Sequence, residues 1–180
     1  GNQQRTLIRF DLSGIPTEDV ILNATLRLYG TRFGGVNTTT TMDVYRLTEG
    51  FEETQVTWNR RNVSTAWTTG GGTSVGKTGT SDVDPYATRV GLQDTGWFEW
   101  DVKDLVAEWH AGTHANHGVM IRATVGNTLT FTSREGLANA GIGAEFTPEL
   151  VVEHDPVPEP ASLLALAGGV AALARRCKRS

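Results

Sequence analysis

Apolar and polar residues alternate with a period of two over several short stretches of this chain, the pattern of β-strands with one buried and one wet face. In RTLIRFDL, Ile8, Phe10 and Leu12 share one face while Leu7, Arg9 and Asp11 share the other. In ATLRLYG, Ala24, Leu26 and Leu28 point one way, Thr25, Arg27 and Tyr29 the other. MDVYRL (42–47), GWFEWDV (96–102), GVMIRA (118–123), TLTFTS (128–133) and PELVVEH (148–154) are the remaining candidate strands. In the last, Leu150 and Val152 oppose Glu149, Val151 and Glu153. One segment has another period: Val102, Leu105, Val106 and Trp109 fall at i, i+3, i+4 and i+7. That predicts a short amphipathic helix over about 102–110, with Asp101 as N-cap, Asp104 in the first turn and Gly112 as the stop. Between 60 and 95 the stretch TTGGGTSVGKTGTSD predicts a large irregular loop. Short strands joined by Gly, Asn and Thr loops predict an all-β antiparallel sandwich.

Composition sharpens the picture in two ways. A length of 180 residues with 21 Gly and five Trp fits one β-rich domain plus attachments. The formal charge of -4 hides an asymmetry. Of 16 basic and 20 acidic residues, four basic (Arg175, Arg176, Lys178, Arg179) and one acidic (Glu159) follow residue 156, so the body carries 12 and 19, a net of −7. An acidic body argues against nucleic acid as a partner, because phosphates need a basic footprint. Cys177, the only cysteine, lies in the tail, so no intramolecular disulfide is possible. The core alone must hold the body, and about 155 residues suffice for that. Gly1 leads almost at once into strand-like sequence, so the chain is expected to be a fragment lacking a first extended segment.

The blocks RTLIRFDLSGIP, ATLRLYG, VYRLTEGFEETQVTWNRR, the GGG of the following loop, WDVKDLVAEW, NHGVMIR and FTSREGL…TPELVVEH occur in series. In that order they resemble the DNRLRE-type domain family over residues 1–155. The resemblance implies a jelly-roll-like β-sandwich of secreted bacterial proteins, some of whose members bind acidic polysaccharides. The family's domains open with a further extended segment before LIRFDL.

Residues 156–180 differ in kind. Pro158, Glu159 and Pro160 are followed by an apolar run, 161–174, expected to form a tail helix, and by the basic end 175–180 with Arg175 and Arg176. The arrangement resembles a PEP-CTERM sorting signal. The fourteen residues of the run reach about 21 Å as a helix, against a bilayer core of about 30 Å. Gly168 and Gly169 weaken that helix, and the arginines would stay on the cytoplasmic side. The resemblance implies transient contact with the inner membrane, cleavage by an exosortase-type membrane protease, and release to the cell surface or beyond. A lasting anchor or an amphipathic tail is the alternative.

Candidate chemistry is sparse. His110, His114 and His117 lie close in sequence, but the helix stop at Gly112 removes the spacing of a zinc helix, and no metal site is expected. The pairs Glu52–Glu53, Asp82–Asp84 and Asp101–Asp104 are sited for turns and caps rather than for one catalytic cleft, and no catalytic residue is assigned. No motif supports a cofactor, and a structural Ca²⁺ held by separated loops would leave no local signature. Trp100 and Trp109 alternate or are spaced like core residues, and Trp58 falls in the VTWN block of the DNRLRE resemblance, which implies a core position for it as well. Trp97 shares a face with Glu99 and Asp101, so it is the candidate exposed ring, with Tyr29 and Tyr45 as further outward candidates. Arg9, Arg27 and Arg122 fall on polar strand faces and Arg46 lies in another strand. If those strands are neighbours, the guanidiniums form a stripe suited to uronate carboxylates. The bland alternative is a surface ladder with the body's own acids, Asp11 and Asp43 among them. The expected function is that of an exported, non-catalytic domain that binds polysaccharide, with uronate-containing glycans among the candidates, or helps build extracellular matrix. The alternatives are a ligand-free structural domain and an accessory domain of a polysaccharide-active enzyme.

Overall fold

The computed structural model describes residues 5–33, 41–90, 95–123, 128–134 and 144–156. The expected tail helix and the motif residues Pro158, Glu159, Pro160, Arg175 and Arg176 lie outside them.

Nine strands form two antiparallel sheets among the described residues: β1 (Arg5–Ile8), β2 (Val20–Phe33), β3 (Thr41–Leu47), β4 (Ser74–Val75), β5 (Ala87–Val90), β6 (Gly96–Asp101), β7 (Val119–Ala123), β8 (Thr128–Phe131) and β9 (Glu149–Asp155). Sheet A runs β1-β7-β3, with β4 and β5 both pairing with β3. Sheet B is organised by the long β2, which carries β6 on one side and β8 and β9 on the other. The chain passes repeatedly from one sheet to the other, as expected of a jelly-roll-like sandwich. β4 and β5 occupy the stretch expected to be irregular; at two and four residues they are too short for a periodic signal. β1 stops at Ile8, earlier than the alternation through Leu12 suggested.

The core lies between the sheets. Ala24, Leu26, Leu28, Phe98 and Trp100 from sheet B meet Met42, Val44, Val119 and Ile121 from sheet A. Ile21 also faces inward although it breaks parity with Ala24; a β-bulge between Ile21 and Asn23 supplies the extra residue. One seam of the sandwich is closed by Arg89, whose guanidinium lies 4.5 Å from the ring centre of the fully buried Phe98.

The helix, α1 (Lys103–His110), packs Leu105, Val106 and Trp109 on this core. Its N-cap position is Val102 rather than Asp101. Asp101 stands one residue earlier, and its Oδ1 accepts the Lys103 N–H at 3.0 Å, satisfying one orphan donor of the first turn. At the other end Gly112 donates to the Trp109 carbonyl and Thr113 to that of Glu108, the paired bonds of a Schellman stop.

Sheet A has a second, smaller core on its outer side. Leu7, Leu47 and Met120 project away from the sandwich and are covered by Phe51, Val56 and Trp67 from the segment between β3 and β4. Leu7 thus leaves the wet face assigned to it beside Arg9, because a loop rather than water lies over that face. Among the described residues no helix is long and apolar enough to cross a membrane.

Candidate functional site

Thr25, Arg27 and Tyr29 of β2 face outward from sheet B, and the register fixes their neighbours. Tyr29 lies opposite Trp97, Arg27 opposite both Glu99 and Glu149, and Thr25 opposite Asp101 and Val151. Tyr29 and Trp97 pack edge to face with centroids 5.5 Å apart. Phe146, from the 3-10 turn Ala144–Phe146 that leads into β9, stacks on Tyr29 at 4.2 Å and reaches Trp97 at 6.2 Å. Such aromatic pairs contribute about 0.5–1.5 kcal/mol each beyond the area they bury. All three rings are half-buried on the water side of the sheet.

Arg27 adjoins this cluster, its guanidinium 4.6 Å from the Trp97 ring centre. Its Nε donates to Glu99 Oε1 at 2.9 Å and its Nη1 to Glu149 Oε2 at 2.6 Å. The bond to Glu99, then the charges of both carboxylates, hold the guanidinium still more firmly protonated than usual. Three neighbouring strands therefore contribute one Glu-Arg-Glu row. With Asp101 and Glu153 nearby, the face carries four carboxylates against this one arginine among the described residues.

The four candidate arginines do not form a stripe. Arg27 belongs to sheet B and Arg122 to sheet A, so their side chains leave opposite sides of the sandwich. Arg122 contacts Asp82 from the loop after β4. Arg46 has the parity of Met42 and Val44 and so turns to the inner side, where it bonds the Tyr86 hydroxyl. Arg9 follows β1 on the outer side of sheet A, its guanidinium 5.7 Å from the Phe51 ring centre. The acids expected as ladder partners are engaged elsewhere. Asp11 accepts from the Ser13 N–H and hydroxyl, both at 2.9 Å, and Asp43 from the Thr88 hydroxyl at 2.7 Å.

The tryptophans also divide differently. Trp67, Trp100 and Trp109 are buried, whereas Trp58, expected in the core, is 44% exposed. Tyr45, expected outward, is buried on the covered side of sheet A. Arg5, which the alternation did not single out, packs its guanidinium 4.9 Å from the Trp58 ring centre and donates to the Gly71 carbonyl at 3.1 Å. Phe146 was equally illegible, since the segment before β9 has no periodicity.

The three loop histidines have separate surroundings. His110 Nε2 lies 3.0 Å from the Asp19 carbonyl, His114 Nε2 lies 4.0 Å from Glu108, and His117 stands beside Gly50. Among the described residues no group of three or more His, Cys, Asp or Glu is placed to hold a metal ion. Of the candidate acid pairs, Glu53 meets Arg134, Asp82 meets Arg122 and Asp104 meets Lys77, while Asp101 serves the helix start.

Residues 1–141 match the family described as the disaggregatase related repeat domain, and residues 156–179 match the PEP-CTERM protein-sorting motif. No curated protein matches the chain. The sorting motif implies processing by an exosortase-type membrane enzyme and a destination at the cell surface or outside the cell.

Proposed function

The chain belongs to the disaggregatase related repeat family and ends in an exosortase-type sorting motif, and from that premise we propose that it is an exported, non-catalytic domain that binds a neutral polysaccharide across the outer face of sheet B. The observation that carries this is the Tyr29–Trp97–Phe146 cluster on the water side of a sheet, beside an arginine locked between two glutamates. Sugar rings offer apolar C–H faces to aromatic side chains, while their hydroxyls donate to carboxylates such as Glu99 and Glu149. The resemblance to DNRLRE-type domains, some of which bind acidic polysaccharide, supports a glycan as the ligand but not its neutral character.

The charge on the face changes the expected sugar. A uronate would need a free guanidinium, and Arg27 already has two carboxylates on it. Four acids around one arginine repel a polyuronate, whereas an uncharged glycan meets no such field. The tail would hold the protein transiently at the inner membrane, with the domain outside, until the exosortase-type enzyme releases it.

A glycan array of neutral and acidic polysaccharides tests this reading. The expected result is retention of neutral glycans, weakened but not abolished in Trp97→Ala and Tyr29→Ala at unchanged secondary structure. Preference for alginate would overturn the neutral-glycan assignment, and binding to no glycan would leave a purely structural domain.

A further inference from the structure

We propose that the domain carries a second glycan contact, built on Trp58, on the opposite side of the sandwich, so that one molecule bridges two polysaccharide chains. This rests on the reading that the sheet B face binds glycan and adds a valency to it.

Trp58 is the only aromatic among the strongly exposed large side chains of the described residues. It is not needed in the small core beneath it, which is made by Leu7, Leu47, Phe51, Trp67 and Met120. Yet its ring is held firmly from behind. The Arg5 guanidinium packs against it, and Arg5 Nη1 is itself fixed by the carbonyls of Gly71 at 3.1 Å and Gly72 at 3.4 Å. The Gly71 backbone passes so close that a Cβ there would lie 2.9 Å from two indole carbons. An exposed indole immobilised by the protein loses little entropy when a sugar stacks on it, the usual cost of ordering a surface side chain. Hydrogen-bonding capacity lies at its rim. A Cβ on Gly70 would fall 3.3 Å from the indole nitrogen and 4.0 Å from Asn59 Oδ1, so the Asn59 amide borders the same spot. A pyranose ring over the indole would place its hydroxyls beside that amide.

The direction in which the two sites face carries the rest. Arg5 lies opposite Arg122 on the outer side of sheet A, while Tyr29 and Trp97 lie on the outer side of sheet B. The sheets stack about 10 Å apart with the core between them, so the platforms face away from each other. One extended chain does not lie on both; two chains do. Once the first chain is bound, the second is captured at the effective concentration set by a rigid protein body, which is the behaviour of a cross-linker.

The test uses the monomeric fraction of the full chain with three soluble neutral probes: mixed-linkage β-glucan, xyloglucan and galactomannan. Affinity electrophoresis identifies the probe that retards the protein. Capture of the fluorescently labelled probe by the same polysaccharide, immobilised, then reads bridging. The expected result is that wild type bridges, that Trp58→Ala and Trp97→Ala each still bind with roughly tenfold weaker retardation but do not bridge, and that the double variant does neither. Trp58→Tyr, which keeps a ring, should restore bridging, separating loss of the platform from loss of fold. Unchanged bridging in Trp58→Ala, or complete loss of binding in either single variant, overturns the second site. No retardation of wild type by any probe overturns the glycan reading itself and this inference with it.

Discussion

Gly118 offers the sharpest test of how the strands of sheet A are held together. It precedes β7, is buried, and has φ of +93. Its N–H donates to Asn116 Oδ1 at 3.1 Å and its carbonyl accepts the Leu47 N–H at 2.9 Å, which ties it to β3. On the other side β1 passes so closely that a Cβ would stand 2.3 Å from the Ile8 carbonyl oxygen and 3.1 Å from the Arg9 Cα. These neighbours are backbone, so they move only if β1 moves. Gly118→Ala therefore meets two costs. The left-handed backbone costs an L-residue about 1–2 kcal/mol, and forcing a methyl group into occupied space costs about 1–3 kcal/mol more. The sum, about 2–5 kcal/mol, lowers the melting temperature by about 4–20 °C at about 2–4 °C per kcal/mol for a domain of this size. Gly79→Ala is the control. Gly79 has φ of +76 but no atom within 4 Å of the added Cβ, so only the backbone cost of about 1–2 kcal/mol applies. Thermal melts followed by circular dichroism measure both variants. Equal shifts in the two would refute the claim that close approach of β1 is what excludes a side chain at Gly118.

Other expectations concern the core and the pH range. Phe98 is fully buried and packs with Trp100, Phe131 and Arg89; Phe98→Ala should cost about 3–5 kcal/mol, read as a lower urea midpoint at unchanged slope. Stability should fall on both sides of neutrality. The Ser13 bonds lower the Asp11 carboxyl. Burial alone would raise Glu49, but bonds from Thr68 and Thr73 and the charge of Arg61 outweigh it and lower this carboxyl too. Folded values below the unfolded ones mean that the unfolded chain binds more protons, so this stability is present above about pH 4 and is lost on further acidification. Burial first, then the bond to Glu108, raises the Tyr86 phenol, and burial raises Tyr45. Their contribution is present below about pH 10 and is lost as pH rises through the folded values. A melting temperature that stays flat from pH 3 to pH 11 contradicts both signs.

The alternation of side chains located most of the strands because burial on one face leaves a period-two trace wherever a strand is long enough. Leu150 and Val152 turned inward and Glu149, Val151 and Glu153 outward as their spacing required. The helix, its stop at Gly112 and the sorting motif were legible for the same reason: each is a local pattern whose physics lies within a dozen or so residues. Parity, however, says only that a residue faces one side of its own strand. It does not say which sheet the strand joins or what covers that side. Arg27 and Arg122 look equivalent in sequence, yet they lie on different sheets and point in opposite directions. Leu7 and Tyr45 have the parity of a wet face, yet Leu7 is partly buried and Tyr45 fully so, because the loops of the following segment lie over sheet A. Trp58, for which the family resemblance implied a core position, is 44% exposed, held up by Arg5 and by the Gly70–Gly72 backbone about twelve residues later in the chain. The sequence by itself thus determined the class of fold, the positions of most of its elements and the address to which the protein is sent. Only the tertiary structure decided which charges are already neutralised and which rings meet solvent, because both depend on contacts between residues far apart in the chain, such as Arg27 with Glu99 and Glu149.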